Sequence, residues 1–181
     1  MGNNILLGVT GSIAAYKACE LVGLLRKKGY QVRCAMSADA DWFVTELTLE
    51  TLTGKKVASD LFRSPGERGP EHISLADEAD LILVAPATAD IIGRVASGIC
   101  DDVLGCAIAA FSGPVVFAPA MNDNMYNNPI VRDKIAYLRE KGYHFVDPVF
   151  GHLACGREGA GHLAPLDKIV EKAENLLGAR I

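Results

Sequence analysis

The residues best suited to chemistry lie in four places along the chain. Phe117 to Pro129, FAPAMNDNMYNNP, carries Asn122 between two methionines just past an apolar run ending in Pro119. A concentrated polar loop at a strand's carboxyl end is a candidate binding loop in an α/β chain. Asn127 or Asn128 before Pro129 also suits the start of a helix, which leaves Met121-Asn122 and Met125-Tyr126 to be explained otherwise. Ala154-Cys155-Gly156 sits in a glycine-rich segment where a thiol is exposed and can close over a ligand. A competing reading groups His152, Cys155 and His162 as zinc ligands, but the spacing fits no ligand-pair motif and a fourth ligand is not evident. His72 stands at a loop-to-helix junction, where a histidine serves as a cap or packed residue as readily as a proton carrier. Gly8-Val9-Thr10-Gly11-Ser12 offers backbone N–H groups to a phosphate, although it has neither the third glycine of a dinucleotide fingerprint nor the Gly-Lys-Ser/Thr of a P-loop.

Regular elements must bring these residues together, and hydrophobic periodicity supplies them. Asn4 to Val9 is a short apolar strand, followed by a tight turn and a helix with apolar positions from Ile13 to Leu25, closed by Gly29. Tyr30 to Met36 alternates as a second strand, and Ser37-Ala38-Asp39-Ala40 opens a helix through Val44. Leu61 to Glu71 is a long loop. His72 to Glu78 is a helical turn or two, leading to a strand at Leu81 to Ala85 that Pro86 ends. Helices are expected from Thr88 to Gly98 and from Asp101 to Phe111, then a strand at Val115 to Ala118. A helix from Pro129 to Lys141, a strand around Tyr143 to Val146 and a terminal amphipathic helix after Pro165 complete the chain. Asp147 to Leu163, with four glycines, reads as a loop.

Strands apolar on both faces alternate with helices, which implies three α/β/α layers around a mostly parallel, Rossmann-like (flavodoxin-like) sheet. In that arrangement Ser12, Ser37 and Pro86-Ala87-Thr88 end three strands and outline one crevice for a nucleotide-like cofactor.

Composition narrows the classes. The chain has 181 residues, half of them apolar, enough for one core, and is read as a single domain over 1–181 with a mobile substrate clamp near 148–163. Eighteen basic against twenty-two acidic residues, without a basic run, argue against nucleic acid. No apolar stretch approaches the roughly 18 residues of a membrane span, and no signal peptide is evident, so the expected location is cytoplasmic. Five cysteines, an odd number with no C-x-x-C pair, fit free thiols in a reducing compartment. Cys19, Cys34, Cys100 and Cys106 fall in apolar stretches and read as small core residues.

Taken together, Gly11-Ser-Ile-Ala-Ala-Tyr-Lys17, His72-Ile-Ser-Leu75, Pro86-Ala-Thr-Ala-Asp90, Pro119-Ala-Met-Asn-Asp-Asn-Met125 and Ala154-Cys-Gly-Arg-Glu-Gly-Ala-Gly161 resemble the homo-oligomeric flavin-containing cysteine decarboxylases. Within that family the histidine, the P-x-M-N-x-x-M loop and the A-C-G clamp in one chain are most similar to the phosphopantothenoylcysteine decarboxylases of coenzyme A biosynthesis. The likeness covers nearly the whole chain. Flavin prenyltransferases share the fold without the last three motifs, and peptidyl-cysteine decarboxylases lack this clamp. The resemblance implies FMN, held by Gly11, Ser12 and Ile13, by Ser37, and by Pro86, Ala87 and Thr88. It implies a homotrimer, or a dodecamer of trimers, with a site shared between subunits, and no metal.

The implied reaction turns phosphopantothenoylcysteine into 4'-phosphopantetheine. Oxidation at the thiol carbon creates a thioaldehyde, an electron sink β to the carboxylate; loss of CO₂ gives an enethiolate, and its re-reduction makes the whole redox-neutral. The family implies His72 as base, Asn122 as ligand of the carboxylate and Cys155 as final proton donor, with Met121, Ala154 and Gly156 also meeting the substrate. Two positions depart from the family: Tyr126 stands where some relatives have Trp, and His162 where Arg or Lys commonly ends the clamp, which removes a permanent positive charge. Many bacterial relatives continue into a phosphopantothenate–cysteine ligase, so a stand-alone enzyme and half of a longer one are both implied. A peptidyl-cysteine decarboxylase and a non-catalytic flavin-binding regulatory subunit are the alternative functions.

Overall fold

The computed structural model describes residues 3–62, 70–152, 156 and 158–178. Five short, apolar segments form one parallel sheet: β1 (Asn4–Val9), β2 (Gln31–Met36), β3 (Leu81–Ala87), β4 (Val115–Pro119) and β5 (His144–Phe145), in the order β2-β1-β3-β4-β5. Because side chains alternate along a strand, each strand feeds two cores. Leu7, Leu83 and Val116 pack on one face with Leu21 and Leu25 of α1 (Lys17–Lys27) and Ile169 and Ala173 of α8 (Leu166–Gly178). Leu6, Ile82, Val84 and Phe117 pack on the other. There they meet Leu75 of α3 (Glu71–Glu78), Ile92 of α4 (Ala89–Ala96), Leu104 of α5 (Val103–Ala110) and Leu138 of α7 (Pro129–Glu140). The three-layer expectation holds, and this strand order places the reversal of winding between β1 and β3.

Several local expectations need correction. The helix expected after Ser37 is a 3-10 turn over Ala38–Trp42, and a separate α2 (Glu46–Thr53) follows, started by Thr45, whose hydroxyl accepts from the Thr48 N–H at 3.3 Å. Its buried face is only Leu49 and Thr53, too narrow a stripe to stand out by periodicity. Pro86 does not end β3. The register with β4 shifts between Val84 and Ala87, so the bulge falls where proline cannot donate to the ladder, and the strand continues to Ala87.

The glycine-rich segment is also more regular than a loop. β6 (Val149–His152) and β7 (Glu158–His162) pair antiparallel, with Gly151 opposite Gly159 and Phe150 opposite Ala160. Glycines at the alternate positions hide the period-2 pattern that would have marked β7. The polar loop after β4 likewise contains a single helical turn, α6 (Asp123–Asn127).

Among the cysteines, Cys34 is buried and its thiol is pushed up to about 12 by that burial, with Cys19 nearby adding to it. Cys100 is exposed in the turn between α4 and α5, so the core reading fails for it. No described helix is long and apolar enough to cross a membrane.

Candidate functional site: a cleft at the carboxyl ends of β1, β3 and β4

Three strand-to-helix junctions converge on a cleft of about 490 Å³. The junction after β1 contributes Gly11 to Ala14, Tyr16 and Lys17; that after β3 contributes Thr88 and Ala89; that after β4 contributes Ala120, Met121, Asn122 and Met125; β7 adds Gly161 and His162. A smaller cavity of about 280 Å³ lies at the other end of the sheet, beside Asn4 and Gln31, the first residues of β1 and β2. Its Arg33 is already paired with Glu71 and Glu78, whereas the larger cleft gathers residues from the carboxyl ends of three strands.

Local hydrogen bonds set the walls of this cleft. Thr10, 1% exposed, donates its hydroxyl to the Pro86 carbonyl at 2.8 Å and accepts from the Thr88 N–H at 3.1 Å. One side chain thus ties the end of β1 to the end of β3. Ser12 begins a 3-10 turn (Ile13–Tyr16) that runs directly into α1; its Oγ accepts from the Ala14 N–H and donates to the Ala120 carbonyl, both at 3.3 Å. Thr88 caps α4 by accepting from the Ile91 N–H at 3.4 Å. Asn122 caps α6, its Oδ1 accepting from the Asn124 N–H at 2.9 Å. Asn128 does the same for α7 at Ile130, also at 2.9 Å, so the helix-starting role falls to a different asparagine of the loop. Tyr126, the buried residue of α6, donates to Asp147 at 3.0 Å, and Arg139 grips the same carboxylate at 2.6 and 2.8 Å. Burial first, and the Asp147 carboxylate second, raise the Tyr126 phenol above its ordinary range, so the group stays a neutral donor.

β7 forms one side of the cleft by an unusually close approach. The Met121 N–H donates to the Gly161 carbonyl at 3.0 Å, and a Cβ on Gly161 would overlap the Met121 carbonyl oxygen. A Cβ on Gly159 would stand 2.6 Å from the Asp123 Cβ. The glycine face of the ribbon therefore lies directly on the Asn122 loop. Gly161→Ala is expected to lift the ribbon off that loop, at a cost of about 1–3 kcal/mol from overpacking. Denaturant unfolding would show a lower midpoint together with weaker ligand binding; an unchanged midpoint would mean that the ribbon adapts.

Of the expected site residues, the structure brings Gly11, Ser12, Ile13, Thr88, Met121 and Asn122 to one cleft. Pro86 and Ala87 stand behind the wall: their carbonyls accept from Thr10 and from the Ala120 N–H, at 2.8 and 3.1 Å. Ser37 ends β2, where its N–H donates to the Val9 carbonyl at 3.0 Å, and is not among the residues lining the cleft. His72 is not among them either; it starts α3, with Nδ1 buried and lacking a hydrogen-bond partner among the described residues. Ala154 and Cys155 lie outside the described residues, and Gly156 is exposed with φ +80°. Tyr16 and Lys17 were given no role by sequence, although Lys17 falls four residues after Ile13 and hence on the same helical face.

The chemistry of the lining is one-sided. Lys17 and His162 are its basic groups, and no Asp or Glu lines the cleft among the described residues, in a chain of net charge −4. The positive end of the α1 dipole and the Ser12 hydroxyl face the same space. Ile13, Ala14, Ala120, Met121 and Leu163 supply apolar surface. The Gly11 turn has no spare room on its far side, since a Cβ there would stand 2.5 Å from the Asp39 Cβ, so its backbone is held in place against the cleft. A flat, partly apolar ring system with a phosphate tail fits this combination of volume, apolar wall and anion-favouring turn.

Comparison with known proteins agrees with that chemistry. The chain is 45% identical over 171 residues to the coenzyme A biosynthesis bifunctional protein CoaBC of Bacillus subtilis, covering 94% of this chain and 42% of that one. It is 42% identical over 179 residues to a probable phosphopantothenoylcysteine decarboxylase of Streptococcus mutans, covering 98% of this chain and all of the other. Against the bifunctional relatives the chain spans less than half their length, 42% in Bacillus subtilis and 45% in Vibrio cholerae. Among solved structures, a cysteine-to-serine variant of PPC decarboxylase complexed with pantothenoylaminoethenethiol superposes with a TM-score of 0.85 at 29% identity, covering 97% of this chain and 98% of that one. The FMN-dependent cysteine decarboxylase SpaF does so with a TM-score of 0.79 at 30% identity, covering 94% and 97%. The model of one family, described as Flavoprotein, matches residues 1–178, and the chain belongs to that flavoprotein family.

Proposed function

We propose that this protein is an FMN-dependent decarboxylase that acts on 4'-phosphopantothenoylcysteine to give 4'-phosphopantetheine, a step of coenzyme A biosynthesis. The observation that carries the reading is the meeting, in one cleft without lining carboxylates among the described residues, of the Gly11-Ser12 turn with the Met121-Asn122 loop. A cofactor phosphate suits the first and a carboxylate substrate the second. The 42% identity to the Streptococcus mutans relative, over the full length of both, supports the substrate class.

When bound, FMN would supply a reversible two-electron couple for oxidation at the thiol-bearing carbon and for the later reduction. Gly11, Ser12, Ile13 and Thr88 would hold it, with Ser37, Pro86 and Ala87 shaping the wall behind. Asn122 holds the substrate carboxylate. With Oδ1 committed to the α6 cap, the amide N–H₂ is the end that donates to the carboxylate. A neutral donor orients the carboxylate without the strong ground-state stabilisation that a lysine or arginine would bring and that CO₂ loss would have to overcome. Met121, Ala154 and Gly156 flank the substrate. Cys155 protonates the enethiolate; a cysteine-to-serine relative complexed with an ethenethiol supports that assignment. His72 manages the proton released at the oxidation step.

Since His72 does not line the cleft of its own chain, it serves the cleft of a neighbouring subunit in a homotrimer or a dodecamer of trimers. Exposed Ile13 and Tyr16 at the cleft rim, and Trp42 and Phe43 beyond the Asp39 turn, give that contact an apolar surface. The bifunctional relatives are more than twice as long as the matched segment, which supports a working association with the phosphopantothenate–cysteine ligase that the family resemblance implies.

The test is direct. The FMN-loaded protein incubated with phosphopantothenoylcysteine should release CO₂ and form phosphopantetheine in equal amounts by mass spectrometry. Turnover only of a peptide ending in cysteine would replace the substrate, and a flavin-loaded protein that releases no CO₂ from either would leave a binding subunit.

A further inference from the structure

We propose that Lys17 is a phosphate-binding residue of the cleft, giving the site its preference for a phosphorylated ligand; the inference rests on the reading of the cleft as a flavin and thiol-carboxylate site. Lys17 is the first residue of α1, half-buried, and lines the cleft beside Tyr16 and Ile13. Elsewhere lysines find carboxylates: Lys28 pairs with Glu174 at 3.1 Å, Lys56 with Glu50 at 3.2 Å and Lys168 with Glu171 at 2.9 Å. Lys17 has no carboxylate partner among the described residues. Asp39 abuts the outer side of the Gly11 turn and Asp123 lies against Gly159 of β7, and neither lines the cavity. Lys17 therefore lines a space whose other basic group is His162 and from which acidic groups are absent among the described residues.

Helical side chains lean towards the N-terminus, so the Lys17 stem runs back along the Ile13-Ala14 turn towards the Ser12 end. The positive end of the α1 dipole points the same way. A phosphate placed there meets a point charge and a field of the same sign, whereas a neutral ligand end gains nothing from either. An amphipathic lysine merely covering helix surface would show no such selectivity.

Two phosphates are available to this cleft, that of the flavin and that of the substrate, and the test separates them. Lys17→Met keeps the apolar stem and removes the charge; Lys17→Gln is the second variant in case the first folds poorly, and Lys17→Arg is the conservative control. Two ratios are measured in each: apo-protein affinity for FMN over riboflavin, by quenching of flavin fluorescence, and kcat/KM for phosphorylated over dephosphorylated substrate. Loss of one charge-assisted contact should lower one ratio by about ten- to hundredfold, with Arg restoring most of it. A fall in the first ratio assigns the contact to the flavin, and a fall in the second assigns it to the substrate. If both ratios stay within about twofold of wild type, Lys17 is not a phosphate ligand. A wild-type protein that decarboxylates neither substrate overturns the proposed function, while the flavin ratio still tests Lys17. A wild type that binds FMN no tighter than riboflavin and turns over neither substrate overturns both.

Discussion

Asn122→Asp is expected to lower kcat/KM for decarboxylation by about 10²–10³-fold while leaving the fold and the flavin content unchanged. On the proposed function the side chain has two jobs, which this substitution separates. Its Oδ1 accepts the Asn124 N–H at 2.9 Å and starts α6, and aspartate caps a helix as well as asparagine does, with the dipole favouring the added charge. What is lost is the amide N–H₂, replaced by a second anionic oxygen that repels the substrate carboxylate. Unfolding midpoint and bound flavin should match wild type, and the loss should appear mainly in KM, with a further fall in kcat from misorientation. Asn122→Ala is the complementary case: it removes donor and cap together, so it should lose activity and about 1 kcal/mol of stability. An Asn122→Asp enzyme within tenfold of wild type would reduce Asn122 to a cap and remove it from the substrate site.

How far the sequence reached differs residue by residue, for physical reasons. The convergence of Ser12, Thr88 and Asn122 was legible because parallel strands buried on both faces read as apolar runs, and the residue after each run must stand at the carboxyl edge. The same logic pointed to Ser37; β2 lies at the sheet edge, beyond β1, and its end is not among the residues lining the cleft. Pro86 looked like a strand terminator because periodicity does not show where a bulge will fall. β6 and β7 were hidden for the opposite reason. Close approach to Met121 and Asp123 requires glycine on one face of β7, and glycine erases the alternation by which a strand is recognised. Lys17 went without a role because nothing in the sequence shows that Met121 and Met125, far along the chain, line the same cavity.

His72 is the sharpest case, because its position along the chain says nothing about which chain's cleft it serves. Mixing two inactive variants, His72→Asn and Asn122→Asp, is expected to restore activity. If each site takes Asn122 from one subunit and His72 from a neighbour, neither pure variant has an intact site. In randomly mixed oligomers made by co-expression at equal dose, about one site in four draws both wild-type residues, so activity should return to about a quarter of wild type. Sites built within one chain would each keep one defect, whatever their neighbours, and the mixture would be as inactive as its parts. The buried Nδ1 of His72, without a partner among the described residues of its own chain, is the observation that favours the shared site. Simple mixing of purified variants adds a second readout, since recovery would then follow the rate of subunit exchange, whereas a contaminating wild-type activity would be present at time zero. An inactive mixture of variants shown by native mass spectrometry to have formed mixed oligomers would place the proton carrier elsewhere and return His72 to a packing role at the start of α3.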